Sequence, residues 1–399
     1  MKKYILLGLL LSSILSLQVY AEKPRRFVEF GLDVGVGLAN NLTGVRDIMK
    51  KNILLDLNAL SDQIKSDGVS VNTDIDSAVF FKFNAGEKWG FGISSGVEGA
   101  INGTIPKSLF TLITEGNINH HVLEGDFTVF GSIFADIAIE AHAQIGKRLR
   151  VGITPAMYVP LIYIPKSSIG YGLYTEDSLA AKVTGEIKVY SPFSLEQIRE
   201  GESSDYSKAL EGKGFDLSLH GEYALFPILD VGGTVSHIPL SGAVLSNQMT
   251  VSMKDFKIDG SKLLTDQNLE IPDLEIQEEY TTASYRVFRP LRFDVYGLYR
   301  PFKVNFFTLR PNIGFTHVIG EGIPPYFNAG LELRLSVLRL LFFHLGTGYE
   351  EAIWRHRVGL ALNLRILELD VEAGLRSQDF EKSFNMQGFN LAVGVRFGF

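Results

Sequence analysis

Strict alternation of apolar and polar residues in long segments is the feature that most constrains this chain. Residues 389–399 place Phe, Leu, Val, Val, Phe and Phe on one face of an extended strand, and Asn, Ala, Gly, Arg and Gly on the other. Soluble strands average about 5–6 residues, whereas a tilted strand that crosses a bilayer needs about 9–11. The pattern therefore predicts a strand that spans a membrane.

Three earlier segments, 327–337, 357–365 and 367–376, repeat this alternation. Their apolar faces carry no charge, although 21% of the chain is charged. A charge that faces lipid at the midplane of a barrel costs about 2–4 kcal/mol, so contact with lipid would exclude charge from that face. A soluble antiparallel sheet gives the same alternation, but its strands are shorter. We therefore predict an all-β fold, a transmembrane antiparallel β-barrel.

The amino terminus has the pattern of an export signal. Met1-Lys2-Lys3 is followed by an uncharged run to Val19, and Val19-Tyr20-Ala21 resembles a cleavage site. We expect a signal peptide at 1–21, cleaved near Ala21, and one outer-membrane barrel domain at 22–399. An uncleaved anchor helix is the alternative, but the apolar run is short for a span. The chain contains no cysteine, which excludes disulfides and a lipidated cysteine.

Two further properties exclude other classes of protein. After Ala21 the sequence offers no window of about 18 apolar residues, the length that a spanning helix requires. The stretch 151–165 comes closest, but it carries three prolines, which would break a helix. The net charge of −7 speaks against a nucleic-acid partner. We expect outer-membrane lipid to surround the barrel.

The strand count follows from the remaining segments. Further strands are predicted at 27–38, 78–86, 88–101, 127–145, 149–163, 180–191, 214–226, 228–238, 291–300, 303–317 and 340–349, with weaker signals at 248–258 and 280–288. Short connectors alternate with polar stretches at 102–126, 192–213, 239–290 and 377–388, as short turns and long loops alternate in barrels. We predict about 14 strands, within 12–16. Counting from the two ends gives opposite directions for 180–191, so one strand near 164–179 or 248–288 is miscounted.

One segment has helical periodicity. Between Gly44 and Ser66, apolar residues recur every three or four positions, at Val45, Met49, Ile53, Leu57, Leu60 and Ile64. The segment follows the first predicted strand. It either packs over one mouth of the barrel or lies at the membrane interface, or it folds into the lumen as a plug.

Signatures of catalysis and of cofactor binding are weak. None of the eight histidines is spaced for a metal site, and His120-His121 with Glu124 lacks a second ligand arm. The glycine-rich run at 31–37 lies inside a strand and matches no phosphate loop. Ser218 and His220 share one strand face, which is a common coincidence. We therefore expect that the protein binds no cofactor and no metal and is not an enzyme.

Charged residues of both signs lie opposite the apolar faces of the last strands. These candidates for lining the pore are Glu332, Arg334, Arg357, Arg365, Glu368, Asp370, Glu372, Arg376 and Arg396. They can pair across neighbouring strands inside the barrel. They can also line a watery passage, where charges of two signs set its preference for solutes.

Prolines interrupt the predicted strand 149–163. Because proline cannot donate to a strand ladder, Pro155 and Pro160 could open a gap in the wall through which an apolar solute leaves sideways into lipid. The alternative for Pro160 is a position beyond the membrane edge.

The ending Val395-Arg396-Phe397-Gly398-Phe399 is similar to the signal of bacterial outer-membrane β-barrels. The resemblance implies that the barrel-assembly machinery recognises Phe397 and Phe399. The size, the helix near the amino terminus and the proline-broken early strand also resemble the FadL family of long-chain fatty-acid channels. The plug of that family precedes its first strand, whereas the helix here follows one. Uncharacterised barrel families of spirochaetes or Bacteroidetes are a related assignment.

Two functions remain open at this point. The first is a passive channel for small solutes, hydrophobic ones among them, as in FadL-like uptake. The second is a structural or adhesive surface barrel with a closed lumen, whose outer loops bind partners through segments such as the acid-rich 266–279.

Overall fold

A computed structural model describes residues 26–42, 64, 66, 68–86, 88–115, 123–175, 178–200, 206–253, 256–259, 276–301, 306–338 and 340–399. The expected signal peptide, nearly all of the expected helix at 44–66, and His120 and His121 lie outside the described residues. Among the described residues, no helix is both long and apolar enough to cross a membrane.

The described residues form eighteen strands. They are β1 (Val28–Asn40), β2 (Val69–Ala85), β3 (Trp89–Ile105), β4 (Leu123–Ile145), β5 (Leu149–Thr175), β6 (Ser178–Ser191), β7 (Gly214–Phe226), β8 (Leu229–Ser241), β9 (Ala243–Met253), β10 (Phe256–Asp259), β11 (Ile276–Val287), β12 (Leu291–Tyr299), β13 (Phe307–His317), β14 (Tyr326–Val337), β15 (Leu341–Glu350), β16 (Ile353–Asn363), β17 (Leu367–Ser377) and β18 (Gly388–Gly398). Short helices α1 (Lys107–Glu115), α2 (Leu195–Glu200) and α3 (Phe380–Ser383) and a 3-10 turn (Tyr206–Leu210) lie in the connections.

Fourteen of these strands close into one antiparallel ring. Its order is β1, β2, β3, β4, β5, β7, β8, β12, β13, β14, β15, β16, β17 and β18, and β18 pairs with β1. The closing ladder runs from Glu29 opposite Gly398 to Ala39 opposite Gly388, and the carbonyl oxygen of Phe399 accepts hydrogen bonds from the N–H groups of Phe27 and Val28 at 2.6 and 3.2 Å. The predicted all-β barrel of fourteen strands is thus confirmed.

At three positions in the ring the wall consists of two strands placed end to end. These pairs are β7 with β6, β8 with β9, and β12 with β11. β5 pairs with β7 from Leu149 to Tyr158, and then with β6 from Tyr163 to Thr175. After Gly242 the line of β8 continues as β9, which pairs with β6 and β11. Residues 288–290 separate β11 from β12 in the same way. We call the level at which these strands meet end to end the seam. It passes residues 159–162 of the continuous strand β5, Gly242 and residues 288–290.

The seam explains why the two strand counts disagreed. β6 and β7 are two pieces of one wall position and run in the same direction, because both pair antiparallel with β5. The chain leaves the wall after Ser191 and returns at Gly214, so 180–191 is not a separate crossing. β6, β9, β11 and the outer half of β5 form a continuous sheet beyond the seam, here called the outer sheet.

The two ends of the ring differ in their connections. Short turns at 86–88, 146–148, 227–228 and 364–366 lie at the end where β1 begins and β18 ends, which we call the turn end. Gly86 and Gly146 supply the positive φ values, 59° and 65°, that tight turns require. The opposite end, the loop end, carries the longer connections. The segments 102–126 and 239–290 were predicted as loops, but they contain strand residues of β3, β4, β9, β10 and β11.

The two faces of the wall differ as the alternation predicts. Cross-strand partners share a face, so the register fixes which residues point outward. Val358, Val371 and Leu391 lie on the outer face and are about half exposed, while Asp370 on the inner face is buried. The charged residues of the last strands therefore point into the ring.

Candidate functional site

Glycines on the inner face make room for large polar side chains. A Cβ atom at Gly37 would lie 1.5 Å from Nη1 of Arg376, and one at Gly152 would lie 1.8 Å from Cε1 of His220. Real Cβ atoms do not approach other atoms this closely. The lumen wall is thus shaped around its charged and aromatic side chains.

Several predicted residues pair between neighbouring strands near the turn end. Arg396 contacts Glu368 at 2.8 Å and Asp33 at 3.4 Å. Asp370 is buried beside them, and Glu372 accepts a hydrogen bond from Asn390 at 3.4 Å. These side chains line the wall and satisfy one another, as the pairing interpretation expects.

Arg357, Glu332 and Arg334 lie further along the same wall. Arg357 contacts Glu332 at 3.4 Å and Glu350 at 3.2 Å. The guanidinium group of Arg334 lies 4.4 Å from the ring centroid of the inward-facing Phe342, which is a favourable geometry for a cation–π contact. All three project inward from β14 and β16.

Arg376 and Arg365 occupy different environments, although both were predicted to line the pore. Arg376 on β17 is fully buried and donates to Asp74 at 2.8 and 2.5 Å and to Asn72 at 3.0 Å. Arg365 instead lies exposed in the turn after β16, with φ 69°. Its carbonyl oxygen accepts a hydrogen bond from Arg26 at 3.1 Å. The strand ends at Asn363, so Arg365 does not extend the inward face.

Other ion pairs cross the lumen between strands that are not neighbours. Glu98 on β3 contacts Arg292 on β12 at 3.3 Å, although β4, β5, β7 and β8 separate the two strands in the ring. Arg355 on β16 reaches Asp74 on β2 at 3.1 Å, past β17, β18 and β1. Charged side chains therefore meet across the lumen and do not only coat its wall.

These contacts form two groups of ion pairs, which adjoin where Glu350 and Glu351 follow each other in the chain. Arg292 also contacts Glu351 at 3.5 Å, and Arg355 also contacts Glu350 at 3.4 Å. Glu350 is the last residue of β15, and Glu351 begins the two-residue turn that leads to β16 at the loop end. We call this set the cross-lumen layer, which consists of Asp74, Glu98, Arg289, Arg292, Glu350, Glu351 and Arg355.

Arg289 joins the layer to the seam. It lies in the 288–290 link and is only 3% exposed. Its guanidinium group donates to Asp216 at 2.7 and 2.8 Å and to Asp136 at 2.5 Å, and it contacts Glu98 at 3.4 Å. It also lies 5.2 Å from the ring centroid of Tyr158. Three carboxylates and one aromatic ring thus hold the only basic group that the link contributes.

Apolar side chains fill the seam above Arg289. This aromatic cluster consists of Phe134, Tyr158, Tyr163, Tyr190, Ala243, Leu245 and Val287, with Ala283 and Tyr285 packed against it. The rings of Tyr190 and Tyr285 stack with centroids 4.3 Å apart. Glu321, from the connection between β13 and β14, accepts hydrogen bonds from the hydroxyl groups of Tyr163 and Tyr285 at 2.5 and 3.0 Å. The connection between β13 and β14 therefore helps to hold the cluster in place.

The two prolines proposed for a lateral opening lie at different places. Pro155 takes part in the ladder between β5 and β7, opposite Leu217. Pro160 is fully buried, faces Phe134 of β4, and falls between the last pair with β7 and the first pair with β6. The interruption of the wall thus coincides with Pro160 rather than with Pro155.

The two aromatic residues of the terminal signal point outward at the turn end. Phe397 pairs with Phe30 of β1 and Leu367 of β17. The side chain of Phe399 is 76% exposed, while its backbone closes the ring. Most of the Phe399 ring is therefore not packed against the described part of the chain.

Sequence reasoning missed the residues at the centre of the layer. The alternation at 88–101 places Glu98 on the polar face, which was the available signal, but no pattern pointed from it to β12. Arg289 lay in a predicted loop. Ser218, considered for catalysis, accepts a hydrogen bond from the backbone N–H of His237 at 3.1 Å. The described residues contain no group of three or more potential ligands arranged to hold a metal ion.

Comparisons with known proteins agree with this fold. A family model described as a family of unknown function (DUF5723) matches residues 27–237, more than half of the chain. The sequence matches no curated protein.

Solved channels have a similar fold. A deltaS2S3 mutant of the monoaromatic hydrocarbon channel TodX is 9% identical, with a TM-score of 0.51 over 98% of this chain and 94% of that one. The toluene transporter TbuX of Ralstonia pickettii is 9% identical, with a TM-score of 0.50 over 94% and 90%. The monoaromatic hydrocarbon channel CymD is 7% identical, with a TM-score of 0.50 over 94% and 89%. At these identities the likeness is one of fold.

Proposed function

Because the chain belongs to the family of unknown function DUF5723 and has the fold of FadL-like hydrocarbon channels, we propose that it is an outer-membrane barrel that acts as a passive channel for small hydrophobic solutes. The observation that carries the proposal is the seam, where an apolar cluster meets an interrupted wall. Aromatic and aliphatic side chains suit an apolar solute, since they offer contact without demanding hydrogen bonds.

The seam supplies a sideways route. Between Tyr158 and Tyr163, β5 has no ladder pair with β6 or β7 in the described residues. The Ser191 hydroxyl donates to the carbonyl oxygen of Leu161 at 3.1 Å, so a side chain partly replaces the missing ladder. A few side-chain contacts are easier to break than a continuous ladder, in which every backbone group is paired. A solute that reaches the cluster would leave there into lipid, and Pro160 would keep the ladder open.

The remaining elements of the proposal concern location and assembly. The chain would be exported with cleavage near Ala21, would be inserted by the barrel-assembly machinery through Phe397 and Phe399, and would face lipid with its outer wall. The turn end would lie on the inner side of the membrane, as short turns do in such barrels.

A disulfide across the wall beside the seam tests this route. Met157 and Phe215 are cross-strand partners just below the interruption, and Ile153 and Leu219 join the same two strands further from it. Paired cysteines at Met157 and Phe215 should slow the uptake of a labelled monoaromatic hydrocarbon by cells that produce the barrel, and a reductant should restore it. The chain has no cysteine of its own to interfere.

The matched control is the cysteine pair at Ile153 and Leu219, which should leave uptake unchanged. If both pairs slow uptake equally, the effect is general stiffening and the route through the seam is wrong. If cells with the wild-type barrel take up no more hydrocarbon than cells without it, a structural or adhesive surface barrel becomes the better assignment. The cross-lumen layer favours that second function, because its ion pairs cross the lumen.

A further inference from the structure

The cross-lumen layer differs in kind from the other luminal ion pairs. Asp230 on β8 pairs with Arg300, which directly follows the neighbouring strand β12, so this pair follows the wall. Glu98 and Arg292 bring together strands with four others between them. A pair along the wall leaves the axis of the barrel free, whereas a pair across the ring occupies it.

Charge balance makes the layer a poor path for ions. Glu98 faces Arg289, Arg292 and the imidazole of His237, at 3.4, 3.3 and 3.6 Å. Asp74 faces Arg355 and Arg376, at 3.1 and 2.5 Å. A mobile cation or anion would have to replace a fixed partner of the same sign, and each such exchange leaves a partly buried charge uncompensated. Selectivity filters, in contrast, present a ring of one sign to the passing ion.

The layer also has a defined place along the axis. Arg289 touches both Glu98 in the layer and the Tyr158 ring in the aromatic cluster. Glu350 and Glu351 mark the loop end of β15 and β16. Most of the cluster, such as Tyr163 and Leu245, lies further towards the loop end along its wall positions than Arg292 and Arg355 do along theirs. The layer therefore lies between most of the aromatic cluster and the part of the lumen that leads to the turn end.

We propose that the cross-lumen layer is an ion-tight floor, which separates the aromatic cluster and the seam from the lumen beneath and keeps the resting barrel from conducting inorganic ions. This inference goes beyond the proposed function, since it holds for any solute that enters from the loop end. It assigns to Glu98 and Arg292 the role of sealing residues.

The conductance of purified full-length protein in planar bilayers of phospholipid in potassium chloride tests the floor. The wild type should show baseline conductance. Glu98→Ala together with Arg292→Ala removes one charge of each sign from the layer, so its net charge is unchanged, and should raise the conductance several-fold. The matched control, Asp230→Ala with Arg300→Ala, removes one acidic and one basic side chain that pair along the wall and should behave like the wild type.

Two outcomes overturn the inference. One is a wild type that conducts as well as the Glu98 and Arg292 double variant. The other is a double variant that keeps the heat-dependent gel shift of a folded barrel but does not conduct. Conductance in the control as well would show that any luminal pair matters, which also contradicts a specific floor.

A second measurement avoids disruption of the layer. Ser70 and Ala78 occupy inward positions of β2 on either side of Asp74, and the native chain is free of cysteine. A charged, membrane-impermeant thiol reagent added to intact cells should label Ser70→Cys quickly and Ala78→Cys much more slowly. Equal labelling rates would contradict the floor even if the double alanine variant fails to fold.

Discussion

The two sides of the barrel differ in strand length. β2, β3, β4 and β5 contain 17, 17, 23 and 27 residues, whereas β13 to β18 contain 10 to 12 each. Both sides begin level at the turn end, so the extra length of the long side lies entirely at the loop end. A bilayer accounts for about 9–11 residues of a tilted strand. The short side is therefore little more than a membrane wall, and the long side also builds the structure above it.

The comparison shows where function is concentrated. The seam, the aromatic cluster and the outer sheet are built by β4 and β5 together with the end-to-end strands beside them, which we count with the long side. The short side contributes Glu321, Glu350 and Glu351 at its loop end. The short side obeys strict alternation because lipid on one face and water on the other allow nothing else. Above the membrane both faces of the long side meet water or protein, so the constraint on its sequence relaxes.

The largest effect is expected for the buried charge of the long side. Arg289→Ala leaves the buried Asp216 and its neighbour Asp136 without their shared partner, and should lower the free energy of unfolding by about 3–5 kcal/mol. Urea unfolding of the protein in lipid vesicles measures this loss of unfolding free energy. Arg199→Ala removes a side chain that is 61% exposed and pairs with Glu278; it should cost far less, because solvent screens an exposed pair. Equal losses would mean that the Arg289 contacts do not hold the seam together.

A lysine on the outer face should separate the membrane part from the extension. Val371 lies outward on the short side and Val71 outward on the upper part of β2, both exposed. Val371→Lys should cost about 2–4 kcal/mol in unfolding free energy, and Val71→Lys at most about 1 kcal/mol, because the penalty falls towards the interface. Similar costs at the two positions would place β2 in lipid along its whole length and remove the contrast between the sides.

The contact that joins the two sides at the mouth should have a smaller effect. Glu321→Ala removes an acceptor that Tyr163 and Tyr285 share, which we expect to weaken the outer sheet by about 1.5–3 kcal/mol. Amide hydrogen exchange should become faster in residues 276–287 and stay unchanged in residues 367–377. Faster exchange in both segments would show that the outer sheet and the short wall open together.

The smallest effect on stability is expected at the carboxyl terminus. Phe399→Ala keeps the backbone hydrogen bonds to Phe27 and Val28, so the unfolding free energy should change by less than about 0.5 kcal/mol, while the yield of folded barrel in cells falls. Leu338→Ala, an exposed apolar residue at the same end, is the matched control and should leave the yield unchanged. A loss of yield in both would argue against a specific terminal signal.

The sequence predicted the fold well where one physical constraint acts along a whole strand. Alternation identified the last strands and their inward residues almost to the residue. The exception is Arg365, which lies in a turn; the apolar Leu364 before it continues the alternating pattern beyond the end of β16. It underestimated β2 to β5. Towards the loop end of β2, for example, polar side chains such as Thr73 and Ser77 lie on the outer face and weaken the alternation. Counting strands by assuming that each one reverses direction failed at β6 and β7. The sequence pattern of a segment does not show whether it starts a new wall position or continues the previous one in the same direction.

The centre of the candidate site could not be predicted for a different reason. Alternation tells which face Glu98 occupies, but not which residue meets it from across the ring. That partner depends on the shape of the closed barrel at this level. Arg289 stands in an aperiodic link, where no period distinguishes a buried guanidinium group from a solvated one.

The pairing of the first strand with the last has a consequence for how the molecule is made. β1 leaves the ribosome early, yet its edge finds its partner only when β18 has followed. In the meantime, eleven residues of exposed backbone would invite pairing with foreign strands. Whatever chaperones the nascent chain must shield that edge for the whole time of synthesis, and releases it in the last step.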